Sequence, residues 1–240
     1  MSAWRRLPFT LTRGALVALA AGAATPTWAG SVYLAGIGLG GGASTLAVES
    51  FQHRKYESTI AQEHDFSCGS AALATLLTYN YKVPATEKDV FQSMFENGDK
   101  QVISKSGFSL LDMKKYLDRR GIASAGFRAP LSKLAAVRLP AIVLINVRGY
   151  RHFVVLEGIR NGWVVLSDPA NGERTERLGV FEKQWTGVSF LILADVEKAQ
   201  QTFDTNEKWA AAPLPPWDLS RFALDLATLA QPGLLDLSKF

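Results

Sequence analysis

The hydrophobic pattern of the chain changes period near its middle. From Ser67 to Gly121 apolar residues recur at three- and four-residue intervals; from Pro140 to Asp195 they come in continuous β-branched runs. "SCGSAALATLLTYNY" sets Ala72, Leu73, Leu76, Leu77 and Tyr79 at helical spacing, with Ser67 placed to cap the helix and Pro84 to stop it. "TEKDVFQSMF" opens on Thr86 with Asp89 three residues later, which predicts a second capped helix. "SLLDMKKYLDRRG" predicts a third, capped by Ser109, basic in its last turn and closed by Gly121. "PAIVLINVRG", "RHFVVLEGI", "GWVVLSDPANG" and "VSFLILAD" then read as four strands separated by glycine, Asp-Pro and Asn-Gly turn signals. Helices first and strands second predict an α+β fold, with N-terminal helices packed on an antiparallel sheet.

The flanks of this 51–195 domain differ in character. Residues 1–29 carry "WRR", the apolar run "ALVALAAGAA" and the small residue Ala29 at a cut position, the pattern of an export signal. This predicts a periplasmic protein, with the cell exterior as the other destination such a signal allows. No charge falls between Arg13 and Glu49, so an uncleaved membrane anchor is the alternative. Residues 30–50 form a Gly-rich arm whose "GLGGGAS" invites cleavage at a double glycine but is more simply a flexible spacer. Residues 196–240 form a tail: a polar stretch, the Pro-rich "AAAPLPPW" and the amphipathic "DLSRFALDLATLAQ", able to pack back or bind a partner.

Charge and motif content narrow the function. The formal net charge is +4, but Arg5, Arg6 and Arg13 all lie in the first 29 residues, and the rest holds 23 basic against 22 acidic side chains. That balance gives no electrostatic footprint for nucleic acid. No phosphate-binding loop or metal-ligand spacing occurs, so neither a metal nor a cofactor is implied.

One cysteine in an exported chain has no internal disulfide partner, and Cys68 is the only one here. An inert buried thiol is the simple interpretation. Against it, Cys68 stands at the first turn of its helix, where backbone N–H groups and the helix dipole favour a thiolate. A nucleophile needs a base, and the chain offers His53, His64 and His152. His152 opens a strand, and alternation groups it with Val154 and Leu156 on the face expected to meet the helix. Asp168 ends the next strand, where a carboxylate can orient an imidazole, although Asp-Pro is also a turn former. Gln62, just upstream of Cys68, is placed to donate to an oxyanion together with the Cys68 N–H.

The order Gln62, Cys68, His152, Asp168 carries more than its members. "QEHDFSCGSAAL" with "YRHFVVLEGI" and "VLSDPANG" resembles the bacteriocin-processing, double-glycine peptidases of the papain-like cysteine peptidases, over Ser58 to Asp195. The resemblance implies a papain-like fold, with Cys68 as nucleophile, His152 as base, Asp168 as its orienter and Gln62 as oxyanion donor. It also implies hydrolysis through a thioester in a narrow cleft that accepts glycine before the cut. Many transporter-fused members carry Asp directly before the cysteine; here Ser67 stands there and Asp65 lies two residues earlier. Stand-alone exported relatives are associated with secretion systems and with functional amyloid, so the expected partners are peptides with a Gly-Gly site, a secretion system or amyloid subunits. A catalytically silent peptide-binding module and a peptidyl transferase are the alternatives.

Overall fold

The computed structural model describes residues 29–34, 44–49 and 54–212. Strands β1, Ala29–Leu34, and β2, Ser44–Glu49, pair as a two-stranded sheet. The rest of the export signal, residues 35–43 and 50 of the arm, His53, and most of the Pro-rich stretch with the amphipathic segment lie outside the described residues.

Helix α1, Cys68–Thr75, is buried at all eight positions and runs on into a π-helical turn, Leu76–Asn80. A helix apolar or small on every side is one enclosed on every side. Its start corrects an expectation: Ser67 does not cap it. The Ser67 hydroxyl turns back to His64, donating to its carbonyl and accepting from its N–H, both at 3.1 Å, and so closes the preceding loop. Helix α2, Glu87–Glu96, is capped by Thr86, which accepts from the Asp89 N–H. Helix α3, Lys100–Ser106, was not foreseen; Asp99 caps it and Ile103 anchors it. Helix α4, Leu110–Arg119, starts on a complete capping box of Ser109 and Asp112. Gly121 follows with φ +68°, a backbone that favours glycine.

Six antiparallel strands form the main sheet in the order β3-β8-β4-β5-β6-β7. They are β3, Ser124–Arg128; β4, Ala141–Val147; β5, Tyr150–Arg160; β6, Trp163–Asp168; β7, Gly172–Arg177; and β8, Trp185–Ile192. Helix α5, Leu131–Val137, precedes β4, and α6, Leu178–Gln184, links β7 to β8. The fold is α+β with N-terminal helices on an antiparallel sheet, as expected; a cysteine helix set against the strand bearing the histidine is the papain-like arrangement.

Two contacts show how α1 meets the sheet. A Cβ added at Gly69 would lie 3.6 Å from the Phe153 ring, and Asn80 Nδ2 donates to Glu157 at 2.7 Å. Phe153 belongs to the opposite alternating set from His152, while Glu157 lies at a register shift between Leu156 and Gly158, where simple alternation ends. The end of β5, rather than its helix-packed face, therefore brings His152 to Cys68.

The packed body continues beyond Asp195, where the sequence suggests a tail. Helices α7, Val196–Gln200, and α8, Asn206–Ala211, follow β8, and Ala199, Phe203 and Ala212 are buried. Gly158 lets this segment close in, since a Cβ there would lie 3.1 Å from the Asp204 Cα. Lys208 reaches the fully buried Glu157 at 3.3 Å. Among the described residues no helix is long and apolar enough to cross a membrane.

Candidate active site

The β4–β5 turn fixes where β5 begins. Arg148 and Gly149 both have positive φ, +53° and +92°, and the Gly149 N–H donates to Asn146 Oδ1 at 2.8 Å. This two-residue turn matches the twist of the paired strands and leaves no slack in register. Tyr150 pairs with Val147, and His152 pairs with Ile145. His152 and Asp168 are 4 % and 1 % exposed, so both side chains sit out of bulk water.

His152 Nε2 meets Asp168 Oδ1 at 2.8 Å. Its other nitrogen, Nδ1, is buried, and Cys68 is close enough to act on the ring. Burial, the largest influence, disfavours the imidazolium. Hydrogen bonding and charge from Asp168 and Cys68 outweigh it and raise the His152 pKa to about 9. The same pair treats Asp168 in reverse. Burial pushes its carboxyl up, but His152, Arg174 and Asn171 hold it well below the usual carboxylate range.

Asp168 is saturated with donors. Oδ1 also accepts from the Ala170 and Asn171 N–H groups at 2.9 and 3.2 Å. Oδ2 accepts from Asn171 Nδ2 at 3.1 Å and Arg174 Nε at 3.0 Å. A carboxylate bound on all sides cannot rotate, so the imidazole is oriented by a fixed anchor. The Asp-Pro turn and the orienter are thus one structure. Arg174, Asn171 and Tyr150 were not foreseen; Arg174 comes from the polar "GERTER" of β7, which carries no strand period.

The loop ahead of Cys68 is fastened to the turn after β6 and to the start of β5. The Gln62 N–H donates to the Pro169 carbonyl at 3.0 Å, and the Tyr150 hydroxyl donates to the Asp65 carbonyl at 2.8 Å. Gln62 also points its amide inward along the loop: Nε2 donates to the His64 carbonyl at 3.0 Å, and Oε1 is buried with no hydrogen-bond partner among the described residues. No hydrogen bond joins Gln62 to Cys68. His64 is exposed, and its ring stacks on Phe66, with centroids 5.6 Å apart, and tilts against Phe91. The structure therefore brings His152 and Asp168 together beside Cys68, holds Gln62 in the adjoining loop, and sends His64 to an aromatic cluster.

Comparison with known proteins shows the family. The peptidase C39 family model matches residues 56–197. A probable functional amyloid protease FapD of Pseudomonas aeruginosa is 40% identical over 154 residues, covering 64% of this chain and 68% of the relative. A second, from Pseudomonas fluorescens, is 36% identical over 182 residues, covering 75% and 80%. A solved double glycine motif protease from an AMS/PCAT transporter, in complex with the leader peptide, is 27% identical and covers 56% of this chain and 89% of that one, with a TM-score of 0.48. The chain belongs to the peptidase C39 family and is a cysteine-type peptidase.

Proposed function

We propose that this peptidase cuts after glycine in exported proteins, with functional-amyloid proteins as its first candidate substrates, through a Cys68–His152–Asp168 triad. The observation that carries the triad is the setting of His152, buried, tied to Asp168 through Nε2 at 2.8 Å and close enough to Cys68 for the thiol to act on its ring. The amyloid substrate is supported by the similarity to the FapD proteases and by the export pattern of residues 1–29, which would deliver the enzyme to the periplasm. Cleavage after glycine rests on the double-glycine resemblance.

On this reading the steps are these. The Cys68 thiolate attacks the scissile carbonyl carbon, and its electron pair moves to the oxygen. The Cys68 N–H, at the first helical position and without an acceptor inside the helix, faces the oxyanion. Gln62 has one amide hydrogen engaged by His64 and a second to offer. The His152 imidazolium passes its Nδ1 proton to the leaving amine, which gives a thioester on Cys68. Neutral His152 then takes a proton from water, the hydroxide attacks the thioester, and Cys68 leaves as thiolate. Asp168 stays ionised throughout and keeps the ring in place.

The test is proteomic comparison of the exported fractions of cells carrying wild type and Cys68→Ala. The variant exchanges one small side chain for another in a buried position, so it should fold and yet leave the substrate uncut. A Cys68→Ala variant that still processed every wild-type product would end this reading.

A further inference from the structure

Tyr150 is the residue the mechanism leaves unused, and its surroundings are built with care. It stands two residues before His152 on the same side of β5, and its ring stacks on the His152 ring, with centroids 5.8 Å apart and planes at 30°. Its hydroxyl donates across the gap to the Asp65 carbonyl at 2.8 Å, 85 residues away in sequence. The tight Arg148–Gly149 turn sets the start of β5, so the ring is delivered from a fixed base. Half of Tyr150 remains exposed, at 53 %, so packing alone does not hold it there.

The receiving loop explains what that hydrogen bond can do. Residues 62–67 are closed internally by Ser67 and Gln62 on the His64 carbonyl. Among the described residues two hydrogen bonds tie the loop to the sheet side of the site, Gln62 N–H to the Pro169 carbonyl at one end and the Tyr150 hydroxyl to the Asp65 carbonyl at the other, while His64 and Phe66 pack on Phe91. The first registers it on the Asp168 turn and the second on the His152 strand. Cys68 and its N–H follow directly from this loop. Its position therefore sets the distance between the oxyanion donors and the imidazole, which belong to different elements.

We infer that Tyr150 is a positioning residue that bridges the His152 strand to the Cys68 loop and sets the oxyanion donors against the thiol–imidazole pair. The inference rests on the triad proposed above. It separates two things a cysteine peptidase needs. Alkylation of Cys68 by a small reagent requires only the thiolate–imidazolium pair. Amide cleavage requires the oxyanion donors as well, within a few tenths of an ångström of their place.

Tyr150→Phe removes the bridge and keeps the ring on His152; Tyr150→Leu removes both. The measurements use the full chain with iodoacetamide as thiol probe and a Gly-Gly aminocoumarin amide as cleavage probe. Tyr150→Phe should lower kcat about tenfold with KM within about twofold, less than the loss of an oxyanion donor itself. Its alkylation rate should stay within about twofold of wild type, because the ion pair is untouched. Hydrogen exchange at residues 64–67 should quicken. Tyr150→Leu should lose cleavage further and slow alkylation too, since His152 is uncovered. A Tyr150→Phe enzyme that cleaves like wild type, that loses cleavage and alkylation in equal measure, or that leaves exchange at 64–67 unchanged overturns the bridge. A wild type that neither alkylates quickly nor cleaves the probe overturns the triad and the bridge together.

Discussion

Replacing Asp168 with asparagine tests the electrostatics of the site in isolation. Asparagine keeps an oxygen for His152 and for the Ala170 and Asn171 N–H groups, so the turn survives. What it loses is the charge, and it sets an NH2 group against Arg174 Nε and Asn171 Nδ2. The wild-type His152 pKa, raised from 6.5 to about 9, corresponds to roughly 3 kcal/mol in favour of the imidazolium. An opposite charge at this distance typically supplies one to three pKa units, so without it burial should bring His152 back to about 7. At pH 8 wild-type His152 is then about nine-tenths protonated and the variant about one-tenth. The sign follows: a cation whose pKa falls loses its acid form as pH rises, so the loss deepens on the alkaline side. The pH profile of kcat/KM reports this directly, since its descending limb belongs to the acid of the free enzyme. Asp168→Asn should move that limb from near pH 9 to near pH 7, costing about tenfold at pH 8 beyond any pH-independent loss. A variant whose descending limb stays near pH 9 would show that Asp168 does not sustain the imidazolium.

Two further tests address the remaining parts. His152→Ala should abolish cleavage of the Gly-Gly probe, while His64→Ala, which removes a ring stacked on Phe66, should keep activity within about threefold, because no reacting group is touched; the reverse result would move the base to His64. Lys208→Met should lower stability in urea unfolding by about 3 kcal/mol at pH 7, because it strips the cation from the buried Glu157 and Glu173. Burial holds the Glu173 pKa above its ordinary value and Lys208 draws it down, so losing Lys208 raises it further. A carboxyl with a raised folded pKa contributes stability below its unfolded pKa and loses it as pH rises, so the deficit should shrink towards pH 5; a deficit equal at both pH values would refute the pairing.

How much of the fold showed in the sequence follows from where each strand lies. The strands at β4, β5, β6 and β8 stood out because both faces of an interior strand are covered, which demands unbroken apolar runs such as "AIVLINV" and "WVVLSD". The two missed strands, β3 and β7, are the two edges of the sheet. An edge strand is kept polar and short, so it has little apolar period to read. The same logic hid α3, whose only buried residue is Ile103, and the packing of α7 and α8, whose anchors Ala199, Phe203 and Lys208 are scattered through a polar stretch. Ser67 looked like a cap because its type suits one, and the loop's own closure on His64 outcompeted that role.

The site shows the same gradient. Cys68, His152 and Asp168 each carry a local mark: a helix start, a strand start and a strand end. Their supports carry none, because they act across register rather than along the chain. Arg174 reaches Asp168 only because β7 pairs with β6, and Tyr150 reaches Asp65 only because a two-residue turn aligns β5 with the Cys68 loop. Placing the arginine on an edge strand has a physical reason. A guanidinium needs partial hydration and a second acceptor, and Arg174, a quarter exposed and also bonded to Glu176 at 3.0 Å, has both there. An interior strand would have to bury that charge completely. The apolar interior can therefore position the reacting groups, and His152 does most to keep Asp168 ionised, but the arginine that adds to it comes from the rim, where hydrophobic patterning gives least warning of it.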